Sequence, residues 1–313
     1  MNHLEILRHY GIRAQKSLGQ NFLVNDEILE TIANSIEITG RNILEIGPGY
    51  GALTEKILKK KPKSLTLVEL DKNMVRILRA RIEEDIIIPK ETVFTIVEGD
   101  VLKYTPKNLS QNLEDSKKNL SKSSIASRTE DSTTSEETEI TQSSHFRESS
   151  YSVIANIPYY ITSPILFRFL HELENKPEEM VILMQKEVGD KILRKKGYNN
   201  SYLSLALEFS CGSIEEICLV EKGNFIPAPK IDSSVLYFQK NPEYDTRKAK
   251  LFLSVTSAGF IAPRKKLLSN LANTLHIPKE RLHMSFEQLL LETARAEELI
   301  EKWKELIENL ENT

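Results

Sequence analysis

The chain has 313 residues, of which 40% are hydrophobic and 28% charged, and its formal net charge is -3. These values exclude disorder along the whole length, and they leave room for one large domain, a smaller companion and a well-buried core. The balance of 42 Lys+Arg against 45 Asp+Glu excludes a uniformly basic surface, so any grip on nucleic acid must come from local clusters.

Met1 to Tyr10 carries Glu5, Arg8 and two histidines in place of an apolar signal core. No apolar run approaches the roughly 20 residues that span a bilayer. A cytoplasmic location without membrane contact is expected. Cys211 and Cys218 are too few for a disulfide framework or a four-cysteine zinc cluster, which fits a reducing compartment, and no metal site is expected.

Apolar runs bounded by turn residues alternate with helical patterns through the first three quarters. Residues 42–46 form a predicted strand ending at Gly47-Pro48-Gly49, and 52–60 a helix. Strand 64–70, helix 73–84 and strand 92–97 follow, the last ending at Gly99-Asp100. Further strands are predicted at 151–155 and 180–184. This alternation implies an α/β fold, a parallel sheet with helices on both faces, whose ligands bind at the carboxyl ends of the strands. Residues 214–220 and 233–238 can close the sheet as an antiparallel hairpin around the turn-rich Phe225-Ile226-Pro227-Ala228-Pro229.

Residues 104–150 interrupt the pattern. They are rich in Ser, Thr, Glu and Lys and poor in large apolar residues, and they read as a mobile low-complexity surface insertion. From about Tyr244 only helical patterns remain. Helices are expected at 247–260 and at 263–275, the second with Pro263 in its first turn. Ser285-Phe286-Glu287-Gln288 has the form of a capping box. Leu299, Ile300, Trp303, Leu306, Ile307 and Leu310 share one stripe, which reads as core. The expected division is a domain over 1–242 and a small all-helical domain over 243–313.

The chemistry-bearing residues cluster at strand ends. Glu45-Ile46-Gly47-Pro48-Gly49-Tyr50-Gly51 lets the backbone turn sharply and a cofactor approach closely. Glu69, ending the next strand, can accept the hydroxyl protons of a ribose. The pair suits a nucleoside cofactor without separating S-adenosylmethionine from NAD, since Gly47-x-Gly49-x-x-Ala52 also satisfies the dinucleotide fingerprint. Asp100 can accept from an adenine amine, although by itself it reads more readily as a cap or turn residue. Asn156-Ile157-Pro158-Tyr159 is the most informative stretch. An adenine amine is a poor nucleophile because its lone pair is delocalised, and fixed acceptors are needed to aim it. The Asn156 side-chain oxygen and a nearby carbonyl can supply them, Pro158 stiffens the loop, and Tyr159 offers a stacking face. Gln15 to Leu23 can fold as a lid, although composition alone makes it an ordinary loop. Two basic groups, Lys191, Arg194, Lys195 and Lys196, and then Arg264, Lys265 and Lys266, can meet RNA phosphates or simply form solvated faces.

Together these stretches resemble the ribosomal RNA small-subunit adenine dimethyltransferases. The resemblance rests on residues 16–23, 42–55, 68–71, Gly99-Asp100, 155–164, 184–188, 225–234 and 260–271, which cover nearly all of the chain except the insertion. It implies a Rossmann-like methyltransferase domain followed by a small helical domain. It implies that Asn21, Leu23, Gly47, Glu69, Asp100 and Asn156 contact S-adenosylmethionine, with Glu69 on the ribose and Asp100 on the adenine. It further implies that Asn156 and the carbonyls beside Pro158 hold the target amine, that Tyr159 and Phe225 sandwich the target base, and that Arg264-Lys265-Lys266 help grip the ribosomal subunit. The implied reaction is N6,N6-dimethylation of two adjacent adenosines in a hairpin loop near the 3′ end of 16S RNA, within an assembling small subunit and by a monomer. The insertion and the slightly acidic balance depart from that pattern. Three other readings compete: a related dimethyltransferase of large-subunit RNA, an NAD-dependent oxidoreductase, and a non-enzymatic assembly factor. The oxidoreductase needs a well-placed proton donor, and none of the six histidines falls at a predicted strand end.

Overall fold

The computed structural model describes residues 1–89, 91–106, 150–195 and 197–311. Most of the expected insertion, residues 107–149, lies outside the described residues, as does Lys196.

Strands β1 (Phe22–Leu23), β2 (Asn42–Ile46), β3 (Ser64–Glu69), β4 (Val93–Glu98), β5 (Ser152–Asn156), β6 (Glu179–Gln185), β7 (Cys211–Val220), β8 (Phe225–Ile226) and β9 (Ser233–Lys240) follow one another along the chain. Seven of them form one sheet in the order β4-β3-β2-β5-β6-β9-β7, and β1 and β8 form a separate ribbon. The first five in the sheet order run parallel. The expected hairpin is present, but β9 lies between β6 and β7 and is antiparallel to both. The order reverses between β2 and β5, so their carboxyl ends flank the crevice where such sheets take ligands.

Every residue of β2 and β3 is buried, as a sheet covered on both faces requires. Alternate side chains enter different layers. Ile43, Leu65, Leu67 and Ile154 join one core, whereas Leu44, Ile46, Val68, Val153 and Ala155 join the other. Helices α1 (His3–His9), α2 (Asp26–Asn34), α3 (Ala52–Lys59) and α4 (Lys72–Glu83) contribute to the first core. Helix α5 (Thr162–Phe167) and the turn after it contribute to the second. Helix α2, not anticipated from periodicity, starts at Asn25, whose side chain accepts from the N–H groups of Glu27 and Ile28. Such a cap stabilises by about 1 kcal/mol. Helices α6 (Lys186–Ile192) and α7 (Tyr202–Ser210) complete this part.

A third core gathers α8 (Thr246–Phe260), α9 (Leu267–Leu275), α10 (Lys279–Gln288) and α11 (Ile300–Glu311). Leu205 of α7 belongs to it, and Phe209 stacks on Phe252 with ring centroids 4.4 Å apart. Three local expectations need correction here. Pro263 precedes α9 and sits in a turn, because the Asn270 amide donates to the Gly259 and Ala262 carbonyls, 2.8 Å each, and satisfies the end of α8 at a corner. Ser285 is buried inside α10, so it opens no helix. Leu299 lies one residue before α11 and is 64% exposed, off the buried stripe.

Trp303 fills the centre of the third core, 1% exposed, with its indole N–H donating to the Ala296 carbonyl at 3.3 Å. Trp303→Ala is expected to lower unfolding stability by about 3–5 kcal/mol. A urea titration followed by helical circular dichroism checks this, and an unchanged midpoint would contradict the packing described.

Candidate active site

All nine residues anticipated as functional line one cleft at the carboxyl ends of the parallel strands, with a volume of about 280 Å³. Gly47 and Asn156 stand at the ends of the two strands flanking the reversal, which pair in register up to Ile46 and Ala155. Gly47 has φ +67, and a Cβ built on it would lie 3.4 Å from the Asn156 carbonyl oxygen. A side chain here would be strained and would close the space between the two loops.

Glu69 is 7% exposed. Its two oxygens accept separately, from Gly49 N–H at 3.0 Å and from Asp71 N–H at 2.8 Å. Burial pushes its carboxyl up from the usual range, and these backbone donors oppose that shift. Each carboxylate oxygen keeps a further lone pair, the capacity a ribose diol requires. Asp100 is a turn residue in the cleft wall. Its Oδ1 accepts from Leu102 N–H at 2.9 Å and shapes the turn, while the residue also lines the cleft.

The side-chain amide of Asn156 has no hydrogen-bond partner among the described residues, although it ends a buried strand. It is therefore free to accept from a ligand amine. Pro158 and Tyr159 continue the rim. The Tyr159 hydroxyl shares a 2.8 Å hydrogen bond with Ser233 Oγ at the start of β9, which fixes the ring. Burial raises the phenol, and the Ser233 contact works against that rise. Phe225 is 3% exposed and pairs with Leu23 across the β1–β8 ribbon. That ribbon thus brings a residue expected at the donor beside one expected at the base.

Sequence reasoning assigned no role to Glu45, Gln20, Leu70 or Tyr160, which also line the cleft. Glu45 lay within the glycine motif without a stated chemistry. Tyr160, 60% exposed, is the open ring at the rim, whereas the adjacent Tyr159 is anchored. The segment through Gly19 to Leu23 covers one side of the cleft, as a lid would.

The cleft holds three acidic side chains, Glu45, Glu69 and Asp100, and no Lys, Arg or His among the described residues. Such a lining offers no cation to a pyrophosphate, and its suitability for a positively charged ligand rests on Glu69 and Asp100, since Glu45 is buried and pushed up to about 8. The dinucleotide reading loses its support on that count. The two basic clusters also separate. Lys191 pairs with Glu187 at 2.8 Å, Arg194 with Glu208, and Lys195 with Glu216 at 2.7 Å, so the three described members of this group each have a carboxylate partner. Arg264, Lys265 and Lys266 are exposed and carry no ion pair among the described residues.

Residues 11–312 match the family described as Ribosomal RNA adenine dimethylase. The chain belongs to that family. A protein of Bacillus pumilus named Ribosomal RNA small subunit methyltransferase A is 34% identical over 298 residues, covering 93% of this chain and 86% of its own length. The fold is also that of two solved structures. One is a dimethyladenosine transferase from Plasmodium falciparum (TM-score 0.66, 21% identity, covering 92% of this chain and 96% of that one). The other is the 23S rRNA methyltransferase ErmE (TM-score 0.63, 20% identity, covering 93% and 100%). As a family member the chain is a methyltransferase that dimethylates adenosine in ribosomal RNA, on a Rossmann-like fold.

Glu45 sits beneath the glycine loop, 1% exposed, and accepts from Thr54 Oγ1 at 2.7 Å. Burial pushes its carboxyl up to about 8, the Thr54 hydroxyl opposing this and the neighbouring Glu69 charge adding to it. The folded value lies above the unfolded one, so the stability contributed by the protonated form is full below the ordinary carboxylate range. It falls as pH rises and is gone once pH passes about 8. Glu45→Gln keeps the shape and the acceptor without the titration. Its melting temperature is expected to gain on wild type between pH 5 and 8 and to hold that gain above. A difference that does not change with pH would refute this.

Proposed function

We propose that the chain transfers methyl groups from S-adenosylmethionine to the N6 amines of two adjacent adenosines in a hairpin loop near the 3′ end of 16S ribosomal RNA, acting in the cytoplasm as a monomer on the small subunit. The observation that carries this reading is the unpartnered side-chain amide of the cleft-lining Asn156 at the end of β5, whose backbone carbonyl lies across from the glycine turn of β2. Supporting the small-subunit target is the name of the 34% identical relative, whereas the likeness to the large-subunit enzyme concerns fold.

The residues fit the donor. Glu69 has acceptor capacity for the ribose hydroxyls, Asp100 lines the cleft near it, and the Gly47 turn leaves room for close approach. Asn21 and Leu23 would cover the donor from the lid side. The carboxyl-rich lining favours a cation. Bound S-adenosylmethionine supplies an electrophilic methyl on a positively charged sulfur.

The rest of the work belongs to the chain. Asn156 Oδ1 accepts one amine hydrogen, and a carbonyl beside Pro158 accepts the other, which points the nitrogen lone pair along the cleft. Tyr159 and Phe225 confine the base between them, Tyr159 held in place by Ser233. After transfer the surplus amine proton leaves to solvent, so no strong general base is required. The rate gain comes from orientation and fixed dipoles. A loop nucleotide suits such a site because an unpaired base costs less to extrude. We assign the helical residues 243–313, with their free Arg264-Lys265-Lys266 run, to holding the RNA particle.

Labelled methyl transfer to unmethylated small subunits and, separately, to large subunits tests the assignment. Incorporation is expected on small subunits alone, and Asn156→Ala should reduce it by about two orders of magnitude or more. Full activity in that variant would remove Asn156 from the mechanism. Replacing Arg264, Lys265 and Lys266 together by Ala should weaken RNA binding and flatten the plot of log affinity against log salt by about 2. Replacing Lys191 and Lys195 by Gln should leave that slope in place, and the reverse pattern would move the phosphate grip to the first cluster.

A further inference from the structure

The side-chain amides of Gln15 and Gln20 both donate to a single atom, Asp71 Oδ2, at 3.0 and 2.8 Å. Asp71 is 4% exposed, and its other oxygen accepts from Asn73 N–H at 2.9 Å as the cap of α4. Its own N–H donates to Glu69. The loop between the two glutamines also closes on itself, because Gln20 Oε1 accepts from Gln15 N–H at 2.8 Å. Within the loop, Lys16–Leu18 makes one tight turn, and Gly19 follows in the left-handed region at φ +62. A Cβ on Gly19 would lie 3.3 Å from the Tyr160 ring and 3.4 Å from Pro158. One six-residue loop is therefore pinned at the ribose side of the cleft and rests on the base side.

We propose that Asp71 is a positioning residue for methyl transfer: through Gln15 and Gln20 it holds this loop, and with it Asn21 and Leu23, across the cleft in register with Glu69. This rests on the donor-binding reading above. It gives a purpose to a buried carboxylate that needs only one oxygen to cap α4. An isolated cap would be served by Ser, Thr or Asn as well. Here the second oxygen satisfies two amide donors, and charge strengthens both bonds. Because Asp71 N–H and Glu69 Oε1 are joined, the loop and the ribose acceptor are set by the same short turn after β3.

Gln15→Leu/Gln20→Leu removes the hold from the loop side and leaves the α4 cap intact. Asp71→Asn keeps the cap oxygen and replaces the shared acceptor by an amide NH2, a donor. Both are compared with wild type in three measurements on the full chain. The first is calorimetric binding of S-adenosylmethionine and of S-adenosylhomocysteine. The second is the separate KM for donor and kcat on unmethylated small subunits. The third is tryptic cleavage after the exposed Arg13 and Lys16, with and without S-adenosylhomocysteine.

Wild type should show ligand-dependent protection at these bonds. The glutamine variant should lose it, bind donor about tenfold more weakly, and raise the donor KM by more than it lowers kcat. Asp71→Asn should shift in the same direction. Variants that melt earlier but keep wild-type donor affinity and protection would show Asp71 to be a helix cap only, and would overturn the proposal. Wild type that binds no S-adenosylmethionine would instead overturn the donor reading itself, which keeps the two failures apart.

Discussion

The two loops that follow β2 and β5 are separated by the space a single Cβ would occupy at Gly47. The rest of the site depends on that separation. Parallel pairing of β2 with β5 is continuous up to Ile46 and Ala155, so the next residue on each strand emerges at the same height. With no side chain on Gly47, a donor can lie against the β2 turn while facing the Asn156 amide. A side chain at Gly47 would be strained at φ +67, with its Cβ against the Asn156 carbonyl oxygen at 3.4 Å. In the proposed reaction, donor and acceptor meet through backbone geometry, with little demand on flexible side chains.

Charge is managed by placement. The chain has a small net negative charge, and its cleft holds only acidic ionisable residues apart from tyrosines. Glu69 is kept useful by two backbone N–H groups that compensate part of its burial. Glu45 lacks such donors, has only the Thr54 hydroxyl, and is pushed up by burial to about 8. Both carboxyls are pushed up by burial, and they differ in the donors that oppose the shift, two backbone N–H groups at Glu69 and one hydroxyl at Glu45. Away from the cleft, the same logic divides the lysines and arginines. Those on and after α6 are matched with carboxylates of their own neighbourhood, whereas those between α8 and α9 are left to the solvent side.

Periodicity revealed the five parallel strands to within a residue at most ends, since strands covered on both faces need nearly unbroken apolar runs. It revealed α8 and α11 as well, because each has one buried stripe. It failed at Pro263 and Ser285. Each carries a legitimate local start signal, but tertiary contacts placed it elsewhere: Asn270 turned the corner after α8, and the apolar neighbours Leu282 and Phe286 drew Ser285 into the middle of α10. Short helices such as α5 and α6 escaped notice because six or seven residues give too little periodicity to count.

The linear order of residues determined the α/β alternation, the glycine turn, the acidic strand end and the Asn156-Ile157-Pro158-Tyr159 loop, since each is a local property of a few consecutive side chains. Only tertiary structure decided that β9 enters between β6 and β7, that Phe225 pairs with Leu23, that Gln15 and Gln20 share one oxygen of Asp71, and which basic cluster stays free. These are contacts between residues up to 202 positions apart. Their partners are chosen by the packing of whole elements, and no spacing along the chain encodes that choice.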